Sequence, residues 1–194
     1  IFIKSGEYDG FPGKGLPSDQ RAWVEWGKGV REFGVCYATS KDGIHWEKPE
    51  LGVIEFEGSK QNNIVIEGNH GVTVMKDLHE SDPQKRYKAI HPENESSYVW
   101  FSPDGIHWGE RIDVGHIDYG DTNNCVWWDP GLKQYVVITR HWGGEASDPV
   151  YASRGHRQVS RSVSKDFRNW SEAEVIIKGF DVRRQIHDMP VVRH

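Results

Sequence analysis

Short apolar runs, not long amphipathic stripes, pattern this chain. They are Gly34-Val35-Cys36-Tyr37-Ala38, Asn63-Ile64-Val65-Ile66, Val72-Thr73-Val74-Met75, Tyr87-Lys88-Ala89-Ile90, Ser97-Tyr98-Val99-Trp100-Phe101, Cys125-Val126-Trp127-Trp128, Tyr135-Val136-Val137-Ile138-Thr139 and Val175-Ile176-Ile177. β-Branched and aromatic residues dominate them, and Gly, Pro, Asn and Asp stand between them, which is the signature of strands joined by turns. No window carries a 3.6-residue apolar stripe of helical length. The pattern predicts an all-β chain.

The strands are laid out on a repeat. Ser40-Lys41-Asp42-Gly43-Ile44-His45-Trp46, Ser102-Pro103-Asp104-Gly105-Ile106-His107-Trp108 and Ser164-Lys165-Asp166-Phe167-Arg168-Asn169-Trp170 recur at an interval of 62 residues. A fixed period of this length marks an array of like units. Asp-Gly supplies the positive φ of a tight turn, Ser and Asp oxygens can satisfy the turn amides, and Trp can pack between neighbouring sheets. His45 and His107 share one repeat position, held by Asn169 in the third copy. They therefore read as turn residues and not as metal ligands.

Each unit runs in one order. The second has strands near 71–77, 86–91 and 96–102, and the third near 123–128, 134–140 and 157–164, with a fourth strand expected at 175–177. Three or four antiparallel strands per unit of this size describe a propeller blade. The expected layout is one propeller segment, with 1–50 ending a first blade, 51–112 a second, 113–174 a third and 175–194 opening a fourth. Three such units fall short of the four to eight blades of a closed propeller. The remaining blades of a longer chain are the expected partners.

Composition narrows the partners. Nine Trp and 12% aromatic residues can build a dense core although mean hydropathy is −0.70. A net charge of −5 without long basic runs argues against nucleic acid or an anionic membrane as the main partner. No apolar run approaches the roughly 20 residues of a membrane span. Cys36 and Cys125 fall at non-equivalent repeat positions and read as buried free thiols, not a disulfide framework. The chain opens on Ile, so its first residues leave destination open, with a periplasmic or secreted one ahead of the cytoplasm.

The segment from Tyr37 to Gly52, together with Asn62-Asn63-Ile64-Val65, Arg86-Tyr87-Lys88-Ala89, Trp128-Asp129-Pro130 and Met189-Pro190-Val191, resembles bacterial proteins similar to the N-terminal domain of glycoside hydrolase family 32. The resemblance spans about Gly34 to His194. It implies the five-bladed propeller of the β-fructosidase and arabinanase superfamily, with a carbohydrate pocket on the axis, of which this chain covers about three blades. It further implies three carboxylates converging from the innermost strands of different blades. Glycosidic cleavage needs a protonated carboxyl near the leaving oxygen and a second carboxylate serving the anomeric carbon or a water, roughly 5–10 Å away. The family's Arg-Asp-Pro motif is absent, and Asn123 stands near the place of its Asp.

The starts of the inner strands are therefore the places to search: Asn69, His70 and Gly71 in the second unit, Asp118 and 121–124 in the third, His187 and Asp188 in the fourth. Asp121 is expected to stabilise an oxocarbenium-like charge and Asp188 to act as general acid or base beside His187. The alternative for each is a turn Asp capping amides. Asn123 and Asn124 offer donor and acceptor together for sugar hydroxyls, or simply open a strand. Arg140, His141 and Trp142 end a strand before a glycine-containing loop and join the expected binding set with His70. No cofactor is expected beyond an axial Ca²⁺ that the resemblance implies. The expected function is a glycoside hydrolase-like protein acting on an oligosaccharide. Two alternatives stand beside it. One is a non-catalytic carbohydrate-binding propeller. The other is a sialidase-like enzyme, whose family repeats a similar Ser-x-Asp-x-Gly-x-x-Trp turn.

Overall fold

The computed structural model describes residues 2–3, 33–67, 71–92, 96–118, 124–143 and 156–178. It is all-β and propeller-like: its strands form antiparallel sheets, and the helical element among the described residues is one 3-10 turn, Pro83–Lys85. No helix among these residues is long and apolar enough to cross a membrane.

The chain divides into two compact units, Ile1–Asn69 and His70–His194. In the first, β1 (Phe2–Ile3) and β2 (Phe33–Cys36) pair antiparallel. β3 (Thr39–Ser40) and β4 (Trp46–Glu47) form a hairpin across the first repeated turn. β5 (Ile64–Glu67) returns to the other edge of β2, giving the sheet order β1-β2-β5. The first sheet thus reaches as far as Glu67.

The second unit holds two four-stranded meanders. β6 (Thr73–Lys76), β7 (Tyr87–Pro92), β8 (Ser97–Ser102) and β9 (Ile112–Asp113) make one. β10 (Cys125–Asp129), β11 (Gln134–Gly143), β12 (His156–Ser164) and β13 (Glu174–Ile177) make the other. Tyr87 pairs with Ser102 and Tyr135 with Ser164, so the two sheets superpose strand for strand. Alternation along the strands sends Ile90, Val99, Tyr135 and Val137 into one shared core, which Ile117 and Phe167 complete. On the other face of the second meander Val136, Ile138 and Val159 form a separate cluster with Cys125, Trp127 and Val163. Cys36 and Cys125 form no disulfide and are half-buried, where the sequence pattern predicts buried thiols.

The repeated turn forms three times around the same Ser and Asp, and the Trp indole donates to the turn carbonyl in the first two copies, whereas Trp170 Nε1 in the third is buried with no acceptor among the described residues. The Ser hydroxyl accepts from the amide of Gly43 at 2.8 Å and of Gly105 at 2.9 Å. Asp Oδ1 accepts the next two amides at 2.7–2.9 Å in all three copies. His45 and His107 donate from Nδ1 to the same Asp at 2.7 Å, and Asn169 donates from its amide at 2.6 Å. These bonds hold the carboxyls well below the usual range. For Asp42 the His45 side-chain bond leads. For Asp104 and Asp166 partial burial pushes the other way, and the turn donors outweigh it.

The three copies differ in what covers them. Gly43 has φ 74° and open space where a side chain would begin, and Trp46 is 59% exposed. At Gly105, φ 80°, an added Cβ would meet Tyr87 Cδ1 at 3.1 Å. In the third copy Phe167 itself takes φ 63°, a conformation that costs a non-glycine residue about 1–2 kcal/mol. Its fully buried ring offsets that cost, packing edge-on against Tyr135 at 5.1 Å and Trp170 at 5.4 Å. Burying a Phe side chain contributes about 1.5–3 kcal/mol.

A buried ionic knot sits at the same end of the second unit. Lys88 is 1% exposed, and its ammonium meets Asp77 at 2.9 Å, Glu80 at 3.0 Å and the Lys85 carbonyl at 2.8 Å. Tyr135 donates its hydroxyl to Asp77 at 2.6 Å, tying the second meander to the first. Burial disfavours the Asp77 charge, but Lys88, Tyr135 and the His79 amide more than compensate, and the carboxyl stays below its ordinary range. Burial, then Asp77, pushes the Tyr135 phenol far up, so it remains a donor. By register Asp77, and not the Asp82 of the similar Asp-Pro pair, is the counterpart of Asp129. The first meander places eight residues between Asp77 and Arg86 at this corner, against four between Asp129 and Gln134, and uses the extra length to bring Glu80 to Lys88.

Candidate functional site

The end of the second unit away from the repeated turns carries polar residues that do not repeat. The cause is strand length. β7 ends at Pro92, whose register counterpart in β11 is Arg140. β11 runs three residues further, through His141, Trp142 and Gly143, which pair with Gln158, Arg157 and His156 of β12. The added backbone ladder is what projects this end beyond the first meander.

Alternation splits the extension into two faces. Arg140, Trp142 and Arg157 share one. The Arg140 guanidinium lies 5.5 Å from the Trp142 ring and that of Arg157 5.1 Å from it. Cations at this distance from an indole face are held by its quadrupole. The Trp142 Nε1 is shielded from solvent and has no hydrogen-bond acceptor among the described residues.

Thr139, His141 and Ser160 lie on the other face. Asp118, on the crossover from β9 to β10, enters between them and is 7% exposed. Its Oδ2 accepts from Ser160 Oγ at 2.7 Å and from His141 Nδ1 at 2.8 Å. The crossover is itself pinned one residue earlier, where the Ile117 amide donates to Ser97 Oγ at 3.2 Å. Next to this group Asn124 laces the two meanders. Its Nδ2 donates to the Gly71 carbonyl at 3.1 Å, its Oδ1 accepts from Thr139 Oγ1 at 2.7 Å, and its backbone carbonyl accepts from Thr73 Oγ1. The Asn124 amide is therefore committed to the frame at both ends.

Of the residues expected from sequence, Asn124 and His141 stand on one face of this end, and Arg140 and Trp142 on the other. His70, Asp121, Asn123, His187 and Asp188 lie outside the described residues. Asp118 and Ser160 complete the site. Asp118 was visible as a polar residue at an inner-strand start, whereas Ser160 reads as an ordinary strand serine until the register brings it to Asp118. An axial Ca²⁺ finds no group of three His, Cys, Asp or Glu suited to a metal among the described residues. A separate cleft of about 320 Å³ in the first unit is lined by Thr39, Ser40, Lys41, Asp42, His45 and Glu47. Ser40, Asp42 and His45 are already spent on the hydrogen bonds of the repeated turn.

No family model matches the chain, and no curated protein matches it. One solved structure with a similar trace is the crystal structure of an N-acetylgalactosamine deacetylase from F. plautii in complex with blood group B trisaccharide. Identity is 17% and the TM-score 0.44, over 81% of this chain and 49% of that one. The chain thus spans about half the length of that protein.

Proposed function

We propose that the chain is part of a carbohydrate-active propeller, glycoside hydrolase-like, that acts on an oligosaccharide by carboxylate acid/base chemistry. The observation that carries this reading is the non-repeating end of the second unit. There an indole flanked by two guanidiniums stands on the same strand extension as an imidazole held by a buried carboxylate. A sugar offers an apolar C–H face and a rim of hydroxyls, and aromatic rings beside fixed donors and acceptors match both. The family resemblance supports the same reading, and in it the chain covers about three of five blades.

In this reading Asp121 and Asp188 are the carboxylates of the reaction. One stabilises charge at the anomeric carbon and the other moves the proton, with His187 beside it. His70 and Asn123 complete hydroxyl recognition. A hydrolysis screen on fructo- and arabino-oligosaccharides, with Asp121→Asn and Asp188→Asn as controls, tests it. The expected result is turnover by the native protein and loss of at least about a hundredfold in each variant, the scale of a positioned acid or base. Turnover unaffected by both substitutions would contradict the assignment.

A second reading, carbohydrate binding without turnover, is favoured by one feature. Asp118 spends its Oδ2 on Ser160 and His141, and Asn124 spends its amide on Gly71 and Thr139. Saturable binding without product in the same screen is the outcome that selects it.

A further inference from the structure

We propose that His141 is the hydroxyl-recognising residue of this end, presenting Nε2 as an acceptor to a ligand hydroxyl, and that Asp118 is the positioning residue that fixes it. The ligand rests on the carbohydrate reading above; the geometry does not.

A carboxylate can only accept, so the bond from Nδ1 to Asp118 at 2.8 Å puts the proton on Nδ1. In the neutral ring the lone pair then lies on Nε2. Ser160 donates to the same Asp118 oxygen and stops the carboxylate from swinging away. Asp118 is nearly enclosed, whereas the His141 side chain is 31% exposed. The ring is thus anchored at Nδ1, while the side chain as a whole keeps part of its surface exposed.

Gly143 supplies an independent observation. It lies two residues on, on the same face, and a Cβ there would fall 2.6 Å from Nε2 and 2.9 Å from Cδ2 of His141. Real Cβ atoms do not approach so closely, so the ring occupies the place a side chain at 143 would take. Position 143 lies on the strand extension that the first meander lacks. The extension, the glycine and the buried Asp together hold one imidazole in one orientation at the edge of the site.

The two nitrogens can be tested separately, because an Asn amide reaches the place of Nδ1 and a Gln amide the place of Nε2. His141→Asn should keep the bond to Asp118, hold its Tm within a few degrees and bind fructo- or arabino-oligosaccharides about tenfold more weakly, the worth of one hydrogen bond. His141→Gln should do the reverse: lower Tm, with binding within about threefold of wild type, about half that bond's free energy. Nitrogen-15 spectra of the His141 ring should show the Nδ1–H tautomer in wild type. Asp118→Asn, which can donate as well as accept, should move the population toward Nε2–H. An Nε2–H tautomer in wild type, or equal weakening of binding by Gln and Asn, overturns the inference while leaving the carbohydrate reading intact. A wild type that binds none of the probes overturns the ligand together with the reading beneath it.

Discussion

The two ends of the second unit are built on opposite plans. At the turn end the Ser and Asp wiring recurs and takes the turn amides, and beside it Lys88 reaches two carboxylates and a carbonyl. At the far end β11 and β12 run past their counterparts and carry Arg140, His141, Trp142 and Arg157, none of which the first meander repeats. What recurs from sheet to sheet must serve what the sheets share, which is folding. The turn end carries the repeated stabilising wiring, and the far end is where we propose that recognition lies.

The largest effect that can break this division comes from Lys88→Ala. It strands Asp77 and Glu80 beside a buried cavity, and removal of one partner from a buried pair costs about 3–5 kcal/mol. Urea unfolding should show that loss, and oligosaccharide binding at a temperature where the variant is folded should be unchanged. Trp170→Ala, which uncovers Phe167, should follow at about 3 kcal/mol, measured the same way. Acid gives a third test. Asp77, Glu80, Asp104 and Asp166 are all depressed in the folded state, so their contribution is complete above the ordinary carboxylate pKa of about 4 and drains as pH falls toward the folded values. The urea midpoint should hold steady from pH 8 to 6 and decline below about pH 4; a midpoint that rises on acidification contradicts the wiring. The smallest effect sharpens the comparison between copies of the turn. Trp46→Ala should change stability by no more than about 0.5 kcal/mol, since Trp46 is exposed where Trp170 is packed.

Much of the turn end could be read from the sequence because its causes are local. The Ser, Asp and His or Asn of each turn bond within three residues of one another, and the 62-residue interval displays them three times. The knot escaped notice because it is not local. Lys88 stands in a Tyr-Lys-Ala-Ile strand whose pattern sends a lysine to solvent, and its burial is decided by Asp77 and Tyr135, the latter from the next sheet. Phe167 likewise breaks the Asp-Gly pattern for a reason visible only in the packing around Tyr135. At the far end the strand extension made Arg140, His141 and Trp142 legible as a polar strand end before a glycine. The pairing of Asp118 with Ser160 spans 42 residues and follows from register, which composition does not reveal.

The central claim is that ligand recognition belongs to the non-repeating end. The most direct measurement is a titration of the protein with fructo- and arabino-oligosaccharides, following its Trp indole and His ring resonances by NMR. Saturable shifts at Trp142 and His141, with Trp46, Trp108 and Trp170 still, are the predicted result. Saturable shifts confined to the three turn tryptophans would contradict it.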